Sequence, residues 1–236
     1  MMPLESTVTS RAAYRIQQRR AEQTAGPRAL VYALFSKLTS SPFERPQMLE
    51  DLFAAGEVSG MLAELEEALP YRVDLQTLRD RLAGMTRQDV PALAQVYSSF
   101  FEVGNDGPPV PLRAELVRTG AGKPKEELIR FYNFFSYTLE DRVAWAPDHL
   151  SILLEFMQVL CLRESEQSDL HDESFQRAQR DFLKRHIMCW LPVSLGRLVE
   201  RDPKGFYTLV MTTLWEFLEQ ELQWNAQTVP TIQEED

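Results

Sequence analysis

Apolar residues recur along most of this chain at intervals of three and four, and no segment alternates apolar and polar positions in the manner of a half-buried strand. The most apolar stretch, WAPDHLSILLEFMQVLCL from Trp145 to Leu162, predicts the central element. At a hundred degrees per residue Leu150, Leu153, Leu154, Met157, Leu160 and Cys161 form one broad stripe, with Ile152, Phe156 and Val159 towards the back. Only Ser151, Glu155 and Gln158 make a polar seam, so neighbours should pack this helix on several sides. Pro147 suits a first helical position and Asp148 suits a first turn, which places the start at Ala146 or Pro147. Asp148 and His149 are then an exposed ionisable pair at the mouth of an apolar helix.

The other elements follow from the same spacing. Residues 1–10 read as a ragged terminus and Arg11 to Gln23 as a short, basic, exposed helix, so residues 1–24 stand apart from the main domain. Gly26 and Pro27 open a core helix carrying Leu30, Val31, Leu34, Phe35 and Leu38, which Ser40, Ser41 and Pro42 end. Short amphipathic helices are expected from Gln47 to Ala55, Val58 to Leu69 and Leu75 to Leu82. Asp89 and Pro91 start another, with Leu93, Val96, Tyr97, Phe100 and Phe101 on its inner face up to Gly104. Asn105, Asp106 and Gly107 then make a turn, and Pro108, Pro109 and Pro111 force a stiff extended segment. A helix from Lys123–Pro124 to Leu139 precedes the central one, and a long helix of about 30 Å follows it from His171 to Leu191, kinked by Pro192. Pro203 starts the last helix, and residues 227–236 read as a disordered acidic tail. The fold class is all-α: one multi-helix domain over residues 25–226, bundled around the central apolar helix.

At 236 residues the chain is long enough to bury a core without disulfides, and its two cysteines, Cys161 and Cys189, fall inside apolar helical patterns. That usage fits a reducing compartment, and no apolar run is long enough for a membrane span or an export signal. A net charge of -10 argues against a nucleic-acid binder. Catalytic motifs leave little trace. Gly120, Gly122 and Lys123 resemble the end of a phosphate loop, but Val117 stands where its first glycine belongs and Pro124 where its hydroxyl belongs. His149, His171 and His186 lack the preceding Glu of a di-iron motif, and no cysteine and histidine spacing suits zinc. What remains is a recognition site: Asp148 and His149 at a helix start, with Trp145 and Tyr137 near enough in sequence to add apolar contact.

Three runs carry a family resemblance: YSSFFEVGNDGPPVPL from Tyr97, EELIRFYNFF from Glu126, and PDHLSILLEFMQVL from Pro147. They resemble the TorD/DmsD/NarJ family of molybdoenzyme-specific chaperones over about Leu30 to Leu222. The EVGNDGPPVPL loop and RAQRDFLKRH are most similar to the branch serving type II enzymes of the dimethyl sulfoxide reductase family, such as ethylbenzene and dimethylsulfide dehydrogenases and selenate and chlorate reductases. Better-known branches carry an aromatic-Glu-Ser run after the paired prolines, where Val110, Pro111, Leu112 and Arg113 stand here. The resemblance implies a cytoplasmic chaperone without enzymatic activity. It would hold no cofactor stably and would bind the apo catalytic subunit, sometimes by a leader peptide, until molybdopterin guanine dinucleotide is inserted. It also implies client contacts at Tyr97, Phe101, Glu102, Pro108, Pro109, Pro147, Asp148 and His149, joined by Trp145, with Glu155 and Phe156 holding the site in shape. A helical scaffold with another client and a weak nucleotide-binding protein are the alternatives.

Overall fold

The computed structural model describes residues 20–54, 58–104, 107–118, 124–140, 146–167 and 173–229. Among them the chain forms eleven α-helices: α1 (Ala21–Thr39), α2 (Pro46–Ala54), α3 (Val58–Ala68), α4 (Gln76–Ala83), α5 (Val90–Phe101), α6 (Ala114–Val117), α7 (Pro124–Phe134), α8 (Leu150–Glu166), α9 (Ser174–Phe182), α10 (Leu191–Arg201) and α11 (Phe206–Thr228). The all-α bundle expected from the spacing is observed, and no strand occurs among the described residues. Trp145, the GAGK segment and most of the proposed basic N-terminal helix lie outside them.

Helix α8 is the axis. Leu150, Leu153, Leu154, Phe156, Met157, Leu160 and Cys161 are fully buried, each large side chain contributing about 1.5–3 kcal/mol of transfer free energy. Helix α1 runs antiparallel beside it. At one end Ser36 donates to the Ser151 carbonyl (2.8 Å), and at the other Arg28 Nη1 meets Glu164 Oε2 (3.0 Å). Helix α1 begins at Ala21, upstream of the expected start, with Pro27 inside it. Pro27 has no N–H to give its own turn, and the burial of Arg28, Ala29, Val31 and Tyr32 immediately after it holds the helix together across that gap.

The start of α8 also differs from expectation. Pro147 and Asp148 form a turn, and the helix opens at Leu150 with His149 as N-cap. The Leu150 N–H goes out to the Leu112 carbonyl (2.8 Å), so His149, in extended form, is pinned to the neighbouring loop and does not join the helix.

Helix α7 ends five residues before Leu139, for a local reason. Ser136 takes φ +53, Tyr137 N–H bonds Tyr132 O (2.9 Å) and Ser136 N–H bonds Asn133 O (3.1 Å). These are the two hydrogen bonds of a Schellman stop, and the usual apolar contact accompanies them, the Tyr132 and Tyr137 rings lying 5.0 Å apart edge to face. Nor does a single kinked helix follow α8. Helix α9 passes into one π-helical segment, Leu183–Met188, and the chain breaks at Trp190, whose φ is -134. Pro192 sits in the first turn of α10, where no N–H is required, so it opens a helix instead of bending one.

A buried polar cluster joins the axis to the rest. Arg28 Nε reaches both oxygens of Glu221 (2.9 and 3.0 Å), and its other nitrogens meet Glu164 and Gln179. Gln179 Nε2 donates to Glu164 (2.8 Å), Tyr71 donates to Glu221, and the guanidinium lies 4.8 Å from the Trp224 ring centre. Helices α1, α8, α9 and α11 therefore meet at one charged, fully buried centre.

Candidate functional site

The extended loop after α5 and the turn before α8 are made for each other. Gly107 has φ +97, and a side chain at Gly104 would fall on the Gly107 carbonyl, so both positions require glycine. The prolines that follow leave the segment without the means to form a helix, and outside partners satisfy its backbone. Val110 N–H bonds the Phe100 carbonyl (2.8 Å) and Ser194 Oγ donates to the Pro111 carbonyl (2.6 Å). Arg113 and His149 face each other as an antiparallel bridge, flanked by Leu150 N–H to Leu112 O and Ala114 N–H to Asp148 O (3.3 Å).

Between this bridge, the end of α5 and the turn after α1 lies a cavity of about 380 Å³. Helix α5 contributes Tyr97, Phe101 and, at its C-cap, Glu102; the loop contributes Pro108, Leu112 and Arg113, and α6 contributes Leu116. The turn after α1 supplies Ser40, Ser41, Glu44 and Arg45, and the α8 start supplies Ala146, His149, Ser151 and Ile152.

His149 is held from both ring nitrogens. Nδ1 accepts from the Ser151 backbone N–H (3.2 Å) and lies 2.8 Å from Ser151 Oγ, while Nε2 is 3.3 Å from the Tyr97 hydroxyl. Tyr97 in turn donates to the Thr39 carbonyl (3.0 Å). Because Nδ1 accepts, the network assigns the ring proton to Nε2, which donates to Tyr97. Burial lowers the imidazole pKa to about 4 against the opposing pull of Asp148, with Arg113 and Arg45 reinforcing the drop. His149 is therefore neutral at pH 7. Burial, then Tyr207, Glu102 and Glu44, push the Tyr97 phenol well up, so it too stays protonated.

Asp148 is not the exposed first-turn charge that its sequence position suggested. It is 5% exposed, accepting from Glu115 N–H (2.8 Å) and Arg113 Nε (3.3 Å). The bridge to the loop covers it, and its carboxylate caps the short α6. Pro147 is buried beside it, its carbonyl accepting from Tyr132 (2.8 Å).

Of the residues singled out from sequence, Tyr97, Phe101, Glu102, Pro108 and His149 line the cavity. Pro109, Pro147 and Asp148 do not line it, and Trp145 lies outside the described residues. Glu155 pairs with Arg45 (3.4 Å) at the edge of the site. Phe156 is fully buried, its ring 4.8 Å from Tyr132, 5.2 Å from Tyr137 and 4.7 Å from Phe182.

Sequence reasoning missed the turn after α1. Ser41 donates to Glu102 Oε1 (2.6 Å), and Arg45, 8% exposed, lies between Glu155 and Glu140 (3.7 Å). The signal that could have found it was an arginine and a glutamate directly after a core helix, in a turn too short to carry them away from the body.

The fold and cavity define the class: an all-helical protein with a cavity walled by a proline-rich loop and a Pro-Asp-His turn. The family model described as nitrate reductase delta subunit matches residues 61–195, more than half of the chain, and the chain belongs to that family. It is 41% identical over 110 residues to the selenate reductase assembly chaperone protein of Thauera selenatis, which covers 45% of this chain and 57% of the relative. It is 38% identical over 129 residues to the chlorate reductase assembly chaperone protein of Ideonella dechloratans, covering 52% and 65%. The matches thus span less than two thirds of these two relatives. The chaperone protein TorD of Vibrio parahaemolyticus is 24% identical over 196 residues, 80% of this chain and 90% of that protein. No solved structure gives a significant match. The resemblance read from the three runs is borne out, including its leaning towards the selenate and chlorate reductase branch.

Proposed function

We propose that this protein is a system-specific chaperone, without enzymatic activity of its own, for the immature catalytic subunit of a type II molybdoenzyme of the dimethyl sulfoxide reductase family. It binds the apo subunit in the cytoplasm and holds it open while molybdopterin guanine dinucleotide is inserted, before any export. The cofactor belongs to the client; the chaperone holds none stably. The observation that carries this reading is the 41% and 38% identity to two proteins named as assembly chaperones of selenate and chlorate reductases.

The site supports it physically. A neutral, hydrogen-bonded floor of His149, Tyr97 and Ser151 offers shape and polarity, and the stiff loop at its edge has little entropy left to lose on binding. No helix among the described residues is long and apolar enough to cross a membrane, which fits action before export. The test is affinity capture on the tagged full-length chain in its native host. Recovery of one molybdoenzyme catalytic subunit at near-stoichiometric yield is expected. Recovery of no such subunit, with the bait folded and abundant, contradicts the reading.

A further inference from the structure

The run RAQRDFLKRH from Arg177 takes no part in the cavity. In a chain with a net charge of -10 it is locally basic. Arg177, Arg180 and Lys184 stand at i, i+3 and i+7 on α9 and the π-helical segment that continues it, so they form one stripe about 10 Å long. Its charges are only partly met. Arg177 pairs with Glu173 (2.9 Å) while its Nε is buried without a hydrogen-bond partner, and Arg180 meets only the carboxylate of its neighbour Asp181 (3.8 Å). Lys184 is exposed and has no ion pair among the described residues. The end of α11 is delivered to this stripe. Val229 is 3% exposed, leaves the helix in extended form (φ -113, ψ 116) ahead of Pro230, and its carbonyl accepts from Arg180 Nη1 (3.5 Å).

Residues 230–236, outside the described ones, read PTIQEED, with three acidic side chains and no cation. We propose that Glu234, Glu235 and Asp236 bind the stripe of Arg177, Arg180 and Lys184, making this segment an intramolecular strap that closes the stripe to outside anions. The proposal goes beyond the chaperone reading and does not depend on it. Reach is sufficient: the backbone from Val229 to Glu234 spans up to about 17 Å, whereas Arg177 and Lys184 lie within about 6 Å of Arg180 along the helix. A single exposed ion pair contributes little. Here three acidic groups face three cations, and a tether of this length supplies them at an effective concentration of about a millimolar.

The test is zero-length carbodiimide cross-linking of the full-length chain, which joins a lysine amine to a carboxylate in contact with it, read by mass spectrometry at about 50 mM and about 500 mM salt. Isotope-mixed protein separates links within one molecule from links between two. The Lys125–Glu115 pair, 3.7 Å apart, serves as internal standard. Lys184 is expected to join the carboxylates of Glu234, Glu235 or Asp236 within one molecule, at a yield that falls at least about threefold at high salt. Arg177→Gln with Arg180→Gln, checked for helicity by circular dichroism, should lower the low-salt yield at least about threefold relative to the standard. Should that variant not fold, the salt series on the wild type decides alone. Formation of the standard without a Lys184 link overturns the strap. So do links found only between two molecules, or yields at Lys37 or Lys204 equal to that at Lys184.

Discussion

Asp148 shows how far a residue's role depends on what covers it. As a solvated first-turn carboxylate its removal would cost about 0.3–1 kcal/mol. Buried and bonded to Glu115 N–H and Arg113, it leaves the Glu115 N–H without its acceptor and takes one of two carboxylates from Arg113 when truncated. Asp148→Ala should therefore lower unfolding stability by about 2–4 kcal/mol, read by urea denaturation. A loss under about 0.5 kcal/mol would show that the Asp148 clamp is not closed in solution. His149 gives a pH signature of opposite origin. Its folded pKa, about 4, lies below its unfolded value near 6.5, so below that value the unfolded state binds more protons than the folded one. The neutral ring's contribution is full above about pH 6.5 and is lost as pH falls towards 4. His186, likewise lowered to about 4 by burial, adds a fall in the same window. His149→Gln should consequently shed part of the stability decline between pH 6.5 and 4.5 and keep the part due to His186. An unchanged pH profile would contradict the neutral imidazole.

At the scale of elements, spacing located most helices because each buries one stripe. Helices α2, α3, α4 and α5 begin and end within about three residues of where apolar periodicity and start signals put them. Boundaries moved where a tertiary hydrogen bond or a backbone conformation decided them. Ser136 in the left-handed region ends α7 early, and nothing in a serine announces that choice. Pro192 was legible as a discontinuity, yet only the Trp190 backbone shows that it begins a helix. The cavity was half legible. Tyr97, Phe101, Glu102, Pro108 and His149 stood in recognisable runs, whereas Ser40, Ser41, Glu44 and Arg45 belong to it only because α1 packs against α8 and brings its last turn there. The loop itself is testable. Gly104→Ala cannot keep the close approach to Gly107, so it should cost about 1–3 kcal/mol and speed amide exchange at Val110, whose N–H is tied to Phe100. Wild-type exchange in the variant would show that the turn adapts without cost.

For the whole molecule, the feature hidden from sequence is the Arg28 centre. An arginine one residue after Pro27 looks like part of a solvated face, and Glu164 and Glu221 look like polar residues on otherwise apolar helices; burial makes them partners across 136 and 193 positions. Arg28→Ala should cost about 3–5 kcal/mol by leaving two carboxylates uncompensated in the core, seen as a large drop in thermal midpoint. Retention of the wild-type midpoint would mean that the centre is hydrated and open. In the proposed chaperone role, the body built around that centre presents its cavity to one unfinished partner. The most direct measurement is calorimetric affinity of the full-length chain for its client's catalytic subunit, prepared once without and once with molybdopterin guanine dinucleotide. A chaperone that acts before cofactor insertion should bind the cofactor-free subunit at least about tenfold more tightly, a difference of about 1.4 kcal/mol or more. Equal affinity for both forms, or none for the cofactor-free form, would contradict that role.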